Sequence, residues 1–122
     1  MAGSVLLKLA RDSMLEVYQA QHIIDKEELL AQHPILATPM NCKVSIFLDE
    51  KQRASYTTDS TASLLENIIL AAKKAAFEDP NTTPLTTSEF LHAQVELSIF
   101  SDEGVISERD EPILNAQSTP LV

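Results

Sequence analysis

A helix that is apolar over most of its surface is the feature that most constrains this chain. Asp59-Ser60-Thr61 is a start signal for it, and Ser63 with Glu66 is a second possible capping box. The helix stops at Pro80, because proline lacks the N–H that a helix needs and its ring clashes with the preceding turn. Apolar residues recur along it every three or four positions, which is helical spacing: Leu65, Ile68, Ile69, Ala72 and Ala76, with Leu64 and Leu70 beside them. A stripe this wide predicts a helix lying across a sheet rather than on the surface.

Three other stretches alternate in polarity, which is the period of a β-strand. Lys43 to Leu48 and Arg53 to Thr58 flank a polar turn at Asp49-Glu50-Lys51, so they predict a hairpin. Ala93 to Phe100 alternates most regularly and predicts a third strand. Because a crossover helix precedes this third strand, one alternative is that it lies parallel to one of the hairpin strands, with a right-handed crossover.

The first residues predict an amphipathic helix from about Ser4, a plausible N-cap, to Gln21. Its apolar residues, Tyr18 among them, share one face. Charged residues, Arg11 and Glu16 among them, are expected on the solvent side.

Shorter elements complete the prediction. Lys26 to Gln32 is a candidate helix, and the prolines that follow it predict an extended connection over His33 to Met40. One helical turn is expected over Glu89 to Leu91, capped by Thr87 or Ser88.

Helices and strands therefore mix without a regular βαβα rhythm, which predicts an α+β fold with helices packed on a mainly antiparallel sheet. The 122 residues suit a single domain, expected over 1–101. Residues 102–122 are acidic and irregular, and they predict a loosely ordered tail.

The formal net charge of −9 makes nucleic acids and anionic membranes poor partners, since like charges repel. No apolar run approaches the roughly 20 residues of a membrane-spanning helix, and the start of the chain is unlike a signal peptide. One cysteine, Cys42, excludes an internal disulfide and suits a reducing compartment. These observations predict a cytoplasmic protein.

No complete catalytic or metal-binding motif is present. The three histidines lack the close spacing of zinc ligands, so no metal and no cofactor are expected. Cys42 has no evident neighbouring base and is interpreted as a small buried hydrophobic residue. The hydroxyl-rich stretch from Ser55 to Thr61 suits helix capping and strand-edge hydrogen bonds better than anion binding, because it contains no glycine.

Glu78 and Asp79 are the most unusual polar residues. Both lie at a helix C-terminus, where the helix dipole disfavours negative charge. One interpretation is structural, with Asp79 accepting N–H groups of Asn81 to Thr83 in an Asx turn. The other is a functional carboxylate.

Three segments, taken together, resemble a known family: Ala75-Ala76-Phe77-Glu78-Asp79-Pro80, Pro84-Leu85-Thr86, and Val95-Glu96-Leu97-Ser98-Ile99-Phe100-Ser101. They are similar, in order and spacing, to the AMMECR domain family, which includes protein A of the AmmeMemoRadiSam system. Leu6-Leu7-Lys8-Leu9-Ala10-Arg11 also resembles that family's opening segment. The resemblance implies an α+β fold without a securely assigned activity, in a family associated with a radical-SAM protein and a Memo-like protein.

The chain departs from the family where its members carry an L-R-G-C-I-G motif. The corresponding residues are Gln52-Arg53-Ala54-Ser55-Tyr56-Thr57, so Arg53 matches and Ser55 stands in the place of the cysteine. The resemblance therefore implies a divergent member, shortened at its C-terminal end, whose family motif is not intact.

Two functions follow as hypotheses. The first is an accessory or interaction module of unknown partner, with a protein partner or a homo-oligomer as its target. The alternative is a small enzyme or anionic-ligand-binding protein whose cleft contains Arg53, Ser55, Glu78 and Asp79. In that cleft Arg53 would bind an anionic group, Ser55 would donate a hydrogen bond and a carboxylate would act as base.

Overall fold

A computed structural model describes residues 5–80 and 82–113 of the chain. It contains four α-helices, one short 3₁₀ helix and four strands within those residues. In chain order these are α1 (Val5–Gln19), α2 (Lys26–Gln32), the 3₁₀ helix (Pro34–Ala37), β1 (Asn41–Leu48), β2 (Lys51–Thr57), α3 (Leu64–Phe77), α4 (Thr87–His92), β3 (Gln94–Ser101) and β4 (Gly104–Arg109).

The strands form one sheet in the order β2-β1-β3-β4, and every neighbouring pair is antiparallel. The expected α+β fold is therefore confirmed. The third strand, β3, pairs antiparallel with β1, with Val44 opposite Leu97. The crossover through α3 still joins two strands that run in the same direction, but β1 lies between them.

Helix α3 is the centre of the hydrophobic core and packs on β1, β2 and α1. Ser63 is its N-cap and accepts the N–H of Glu66 at 3.3 Å, as the sequence suggested. Ala71, Ala72, Ala75 and Ala76 are almost completely buried, and their small side chains bring the helix close to its neighbours. After the helix, the Leu85 N–H donates to the Ala76 carbonyl at 2.7 Å and fixes the turn that follows Pro80.

Helix α1 packs on α3 and β3, so both long helices lie on the same face of the sheet. The predicted solvent side of α1 is wrong in part, because Arg11 and Glu16 are only 7% and 9% exposed. Arg11 donates to the carbonyls of Phe90 and Ala93, and Glu16 accepts N–H groups of the loop that follows α1. The proposed N-cap, Ser4, lies outside the described residues.

Two short segments differ from expectation. The connection after α2 contains a 3₁₀ helix that begins at Pro34, because proline fits the first turn of a helix. The cap of α4 is Thr86 rather than Thr87 or Ser88, with reciprocal Thr86 and Glu89 bonds in a capping box.

Asp25 caps α2 by accepting the Glu28 N–H at 3.0 Å.

The prediction of irregular structure from residue 102 onwards is wrong over Gly104–Arg109, which form β4. Contacts of Arg11 explain in part why this segment has a regular structure. Its Nε and Nη2 atoms donate to the two carboxylate oxygens of Asp110 at 2.7 and 3.0 Å, and further bonds reach the carbonyls of Phe90 and Ala93. The end of β4 is thereby joined to α1. The part of the predicted tail beyond Ile113 lies outside the described residues.

Candidate functional site

The site predicted from sequence centres on Arg53, which occupies an irregularity in the β1–β2 ladder. Ile46 pairs with Ala54 and Phe47 pairs with Gln52, so Arg53 is the extra residue of a β-bulge. A bulge bends the strand and redirects a side chain away from the regular alternation. Arg53 consequently points to α4 and the loop after α3.

The guanidinium of Arg53 contacts three partners there. Nε and Nη2 donate to the carboxylate of Glu89 at 3.3 and 3.1 Å, and Nη2 also donates to the carbonyls of Thr83 at 2.9 Å and Pro84 at 3.5 Å. The side chain is 11% exposed. Its third nitrogen, Nη1, is buried without a hydrogen-bond partner among the described residues, as is Thr82 Oγ1.

Glu89 completes this arrangement from α4. The Thr86 N–H donates to its carboxylate at 2.9 Å, and Arg53 lies on the other side. The Thr86 N–H and, more weakly, Arg53 lower the pKa of Glu89 against the opposing effect of burial. Glu89 is therefore a carboxylate at neutral pH and is already paired.

Tyr18 joins the same cluster from α1. Its hydroxyl donates to the carbonyls of Leu85 at 2.6 Å and Thr86 at 3.1 Å, and its ring packs edge-on against Phe77. Burial raises the pKa of Tyr18 to about 12, so the hydroxyl stays protonated and remains a donor. We refer to Tyr18, Arg53, Glu89 and residues 83–86 as the Arg53 cluster.

The other predicted site residues lie apart from Arg53 or have other partners. Ser55 pairs with Ser45 on the sheet face opposite the helices. Glu78 forms an exposed ion pair with Lys74 at 2.9 Å. The carbonyl of Asp79 accepts the Thr82 N–H at 3.2 Å, which supports a turn, although Asn81 of the predicted Asx turn lies outside the described residues.

Sequence reasoning missed Tyr18 and Glu89 as parts of this cluster. Tyr18 was assigned to the apolar stripe of the first helix, and Glu89 only to a helical turn. The one local signal is the spacing of Thr86 and Glu89, which is that of a capping box. Nothing in the sequence near Arg53 shows that its partners come from residues 83–89.

Cys42 is confirmed as a buried residue. Burial raises the pKa of its thiol to about 12, because the effect of burial outweighs the hydrogen bond with Thr58, which lowers the pKa. A thiolate nucleophile is thus strongly disfavoured. Within residues 5–80 and 82–113, no group of three or more His, Cys, Asp or Glu side chains has an arrangement that suits a metal ion.

The hydroxyl-rich stretch before α3 is used internally, as the capping interpretation predicts. Thr58 Oγ1 accepts the Cys42 N–H at 3.0 Å and donates to Asn41 Oδ1 at 2.8 Å. Ser60 Oγ donates to Asn67 Oδ1 at 2.7 Å, and Asn67 is completely buried. These hydroxyls fix the entry to α3.

A groove with a volume of about 580 Å³ lies between α1, α3 and the start of α2. Glu16 lines it and accepts the N–H groups of Ile23 at 2.9 Å and Ile24 at 3.0 Å, while Lys73 Nζ lies at 3.2 Å. Burial raises the pKa of Glu16, but the two N–H donors and Lys73 together outweigh burial and lower it. The carboxylate therefore holds the loop between α1 and α2.

A second surface has a simpler geometry. The described helices pack on one face of the sheet, and no described helix packs on the other, which we call the open face. Its centre contains short polar side chains with aromatic residues nearby. The strand pairings place the following residues on it: Lys43, Ser45, Phe47, Ser55, Thr57, Gln94, Glu96, Ser98, Phe100, Val105, Ser107 and Arg109.

Side-chain contacts across the open face order this surface. Arg109 donates to Glu96 Oε1 at 2.6 Å, and its guanidinium lies 4.0 Å from the centre of the Phe47 ring. Ser98 and Ser107 hydroxyls are 2.8 Å apart. These contacts hold the polar side chains of the open face in place.

Among the described helices, none is both long and apolar enough to cross a bilayer.

Comparison with known proteins identifies the fold and the family. A sequence model of the AMMECR1 family matches residues 7–117. A protein of Sulfolobus acidocaldarius is 30% identical over 113 residues, which cover 88% of this chain and 48% of that protein. The crystal structure of the uncharacterized protein PH0010 from Pyrococcus horikoshii has a TM-score of 0.67 with 24% identity, covering 80% of this chain and 50% of that one.

The likeness to PH0010 shows the fold, and the chain spans about half the length of the two relatives. The family resemblance seen in the sequence is confirmed, because the matched region contains all three segments on which it depends. This chain belongs to the AMMECR1 family.

Proposed function

We propose that this chain is an accessory or interaction module that binds a protein partner through the open face. The observation that carries the proposal is a four-stranded sheet with helices on one face only, within the described part of the chain. Small-molecule sites are concave, and the groove of about 580 Å³ lies on the helix side of the sheet instead. An uncovered sheet face of short side chains suits a macromolecular partner.

The chemistry of the face favours protein over nucleic acid. Phe47 and Phe100 are half-buried aromatic residues beside serine hydroxyls, and aromatic residues are enriched in protein interfaces. The net charge of −9 opposes a phosphate backbone. The buried thiol of Cys42 suits a reducing compartment, so we place this activity in the cytoplasm.

The lengths of the relatives support the same function. This chain covers 48% of the Sulfolobus protein and 50% of PH0010, so further polypeptide accompanies the shared fold in both. In both relatives the shared fold therefore occurs together with additional polypeptide, which supports a surface that binds protein.

A capture experiment with matched variants tests the proposal. The tagged chain is incubated with lysate of its source organism, and bound proteins are identified by mass spectrometry. Ser98→Arg places a long charged side chain at the centre of the open face, whereas Ser88→Arg makes the same change on exposed α4. A partner retained by Ser88→Arg and lost by Ser98→Arg supports the function. Absence of any reproducible partner, or equal capture by both variants, contradicts it.

A second candidate function, binding of a small anion, rests on Arg53. One observation favours it: Arg53 Nη1 is buried and has no hydrogen-bond partner among the described residues. An arginine nitrogen without an acceptor is costly, and a carboxylate or phosphate oxygen would satisfy it. Arg53 and the segment near Asp79 would form this site. Ser55, on the opposite face, would take no part.

Thermal shift measurements separate the two functions. Phosphate and small dicarboxylates are added to the chain, and a bound anion raises the melting temperature because it stabilises the folded state only. The rise should disappear in Arg53→Met, and it should persist in Ser98→Arg. If no anion raises the melting temperature of the unmodified chain, the second candidate is excluded.

A further inference from the structure

Strand β4 forms one outer edge of the sheet, and no described strand pairs with its free side. The Asp110 N–H donates to the Val95 carbonyl at 3.0 Å, which sets the alternation along the strand. Gly104, Ile106 and Glu108 therefore direct their peptide groups to β3. The peptide groups of Val105, Ser107 and Arg109 point outward and are available to another strand.

This edge lacks the features that usually prevent pairing. Sheet edges are commonly protected by proline, lysine or a bulge. The opposite edge, β2, begins with Lys51 and contains the bulge at Arg53. Strand β4 contains no proline, lysine or bulge; its charged residues, Glu108 and Arg109, lie at its end, and its Val105 and Ile106 are 62% and 58% exposed. An apolar edge with free peptide groups is suited to strand addition.

We propose that β4 pairs antiparallel with β4 of a second copy of this chain, across a twofold axis at Ile106. The pairing would join the two four-stranded sheets into one and leave the open faces accessible. This inference rests on the proposed function, to which it adds a specific partner at the edge beside the open face.

Complementarity between two identical strands selects this register. With Ile106 opposite the partner's Ile106, Val105 lies opposite the partner's Ser107, and Gly104 opposite the partner's Glu108. Apolar side chains then meet at the axis, and no charged side chain lies opposite an apolar one. Ile106 occupies a non-hydrogen-bonded pair, in which opposing side chains are closest.

The alternative register is less complementary. If the axis passed through Ser107, Val105 would lie opposite the partner's Arg109 and Ile106 opposite the partner's Glu108. Each apolar residue would then face a charged one. A register centred between two residues would place inward-pointing peptide groups opposite outward-pointing ones, so it cannot form a ladder.

Sedimentation equilibrium of the full chain tests the association. The unmodified chain should be a dimer, and Ile106→Lys should raise the dimer dissociation constant by at least about tenfold, because two like charges meet at the axis. Ile35→Lys is the control, since Ile35 is also exposed, at 51%, but lies on the 3₁₀ helix. A monomeric unmodified chain, or equal dissociation constants for both variants, would overturn the proposal.

Cysteine substitution tests the register. Under mild oxidation Ile106→Cys should form a disulfide between two copies, and Ser107→Cys should not, because only residue 106 lies on the axis. The native Cys42 is buried and provides no competing thiol. Cross-linking through residue 107 instead of 106 would refute the register. Unchanged partner capture by a monomeric chain would show that this inference fails while the proposed function stands.

Discussion

Arg11 and Asp110 show how single buried charges organise this chain. The side chains are 9% and 11% exposed, and the carboxylate accepts two guanidinium bonds and the Val95 N–H. Arg11 also lies against the Phe90 ring. Each charge is therefore satisfied by its neighbours, and removing one leaves the other buried and unpaired.

Asp110→Ala should lower the free energy of unfolding by about 3 kcal/mol, because Arg11 would remain buried without its carboxylate. Urea denaturation followed by circular dichroism measures the change. Glu111→Ala removes a neighbouring exposed carboxylate and is the control. Equal stability of the two variants would show that the Arg11–Asp110 pair contributes nothing to the fold.

Glu16 should make stability depend on pH. Its folded pKa lies below the ordinary value of 4.5, so its contribution is fully present above that value and is lost as pH falls through the lowered pKa. Glu16→Gln should lower the free energy of unfolding by about 1–2 kcal/mol at pH 7. The amide oxygen can accept the Ile23 and Ile24 N–H groups, but the NH2 group would then face Lys73 and cannot accept its hydrogen bond. The difference between the two proteins should shrink in acid.

Thermal denaturation between pH 3 and 7 measures this effect. Glu78→Gln, which removes an exposed carboxylate paired with Lys74, corrects for the loss of one negative charge. A Glu16→Gln penalty that stays constant across the pH range would contradict the role assigned to Glu16.

The sequence could not reveal these polar contacts for a physical reason. Periodicity distinguishes apolar from polar positions, so Arg11 and Glu16 were assigned to the solvent side of α1. Their partners include backbone groups outside α1, such as the Ala93 carbonyl and the Ile24 N–H. Arg53 was found through its family resemblance, but its partner Glu89 depends on the tertiary fold.

At the scale of elements, the sequence prediction succeeded where apolar residues repeat with the period of a helix or of a strand. The stripe of α3 and the alternation of β3 were both recovered because burial repeats along each element. Strand β4 was missed because its apolar pair, Val105 and Ile106, lies among acidic residues and is exposed on both faces. An edge strand that no helix covers is exposed on both sides, so its sequence shows little of the alternation between apolar and polar residues that predicts a strand.

The backbone of the β1–β2 turn is strained. Asp49 and Glu50 both have positive φ, 52° and 66°, as a type I′ hairpin turn requires. The left-handed region costs most residues roughly 1–2 kcal/mol, while a glycine there adds up to about 1 kcal/mol of unfolded-state freedom. Glu50→Gly should therefore stabilise the chain by about 0.5 kcal/mol.

The matched control for this turn is Glu103→Gly. Glu103 occupies the two-residue turn between β3 and β4 without a positive φ, so glycine there relieves no strain. Chemical denaturation should show a higher midpoint for Glu50→Gly only. A gain at Glu103, or a loss at Glu50, would refute the strain at the first turn.

At the scale of the whole molecule, the fold class and the family were predictable, but the extent of the domain was not. A boundary at Ser101 would cut the β3–β4 hairpin and remove Asp110 from Arg11. The family match through residue 117 agrees with a domain that continues beyond 101. Long-range contacts between the ends of the chain define its extent, and composition does not show them.

Truncation tests the extent of the domain. A chain ending at Asp110 keeps β4 and the Arg11 ion pair, whereas a chain ending at Ser101 loses both. The shorter chain should unfold at a clearly lower temperature, with a loss of at least about 3 kcal/mol from the ion pair alone. Circular dichroism melts compare the two directly. Identical melting would restore the boundary at 101.

The order of the strands also has a consequence for how the chain folds. The β1–β2 and β3–β4 hairpins each close through a turn of two residues, so both form from contacts that are local in sequence. The β1–β3 ladder joins residues that are far apart, such as Val44 and Leu97, and α3 must be in place between them. Because distant contacts require closure of a long loop, docking of one hairpin onto the other should set the folding rate.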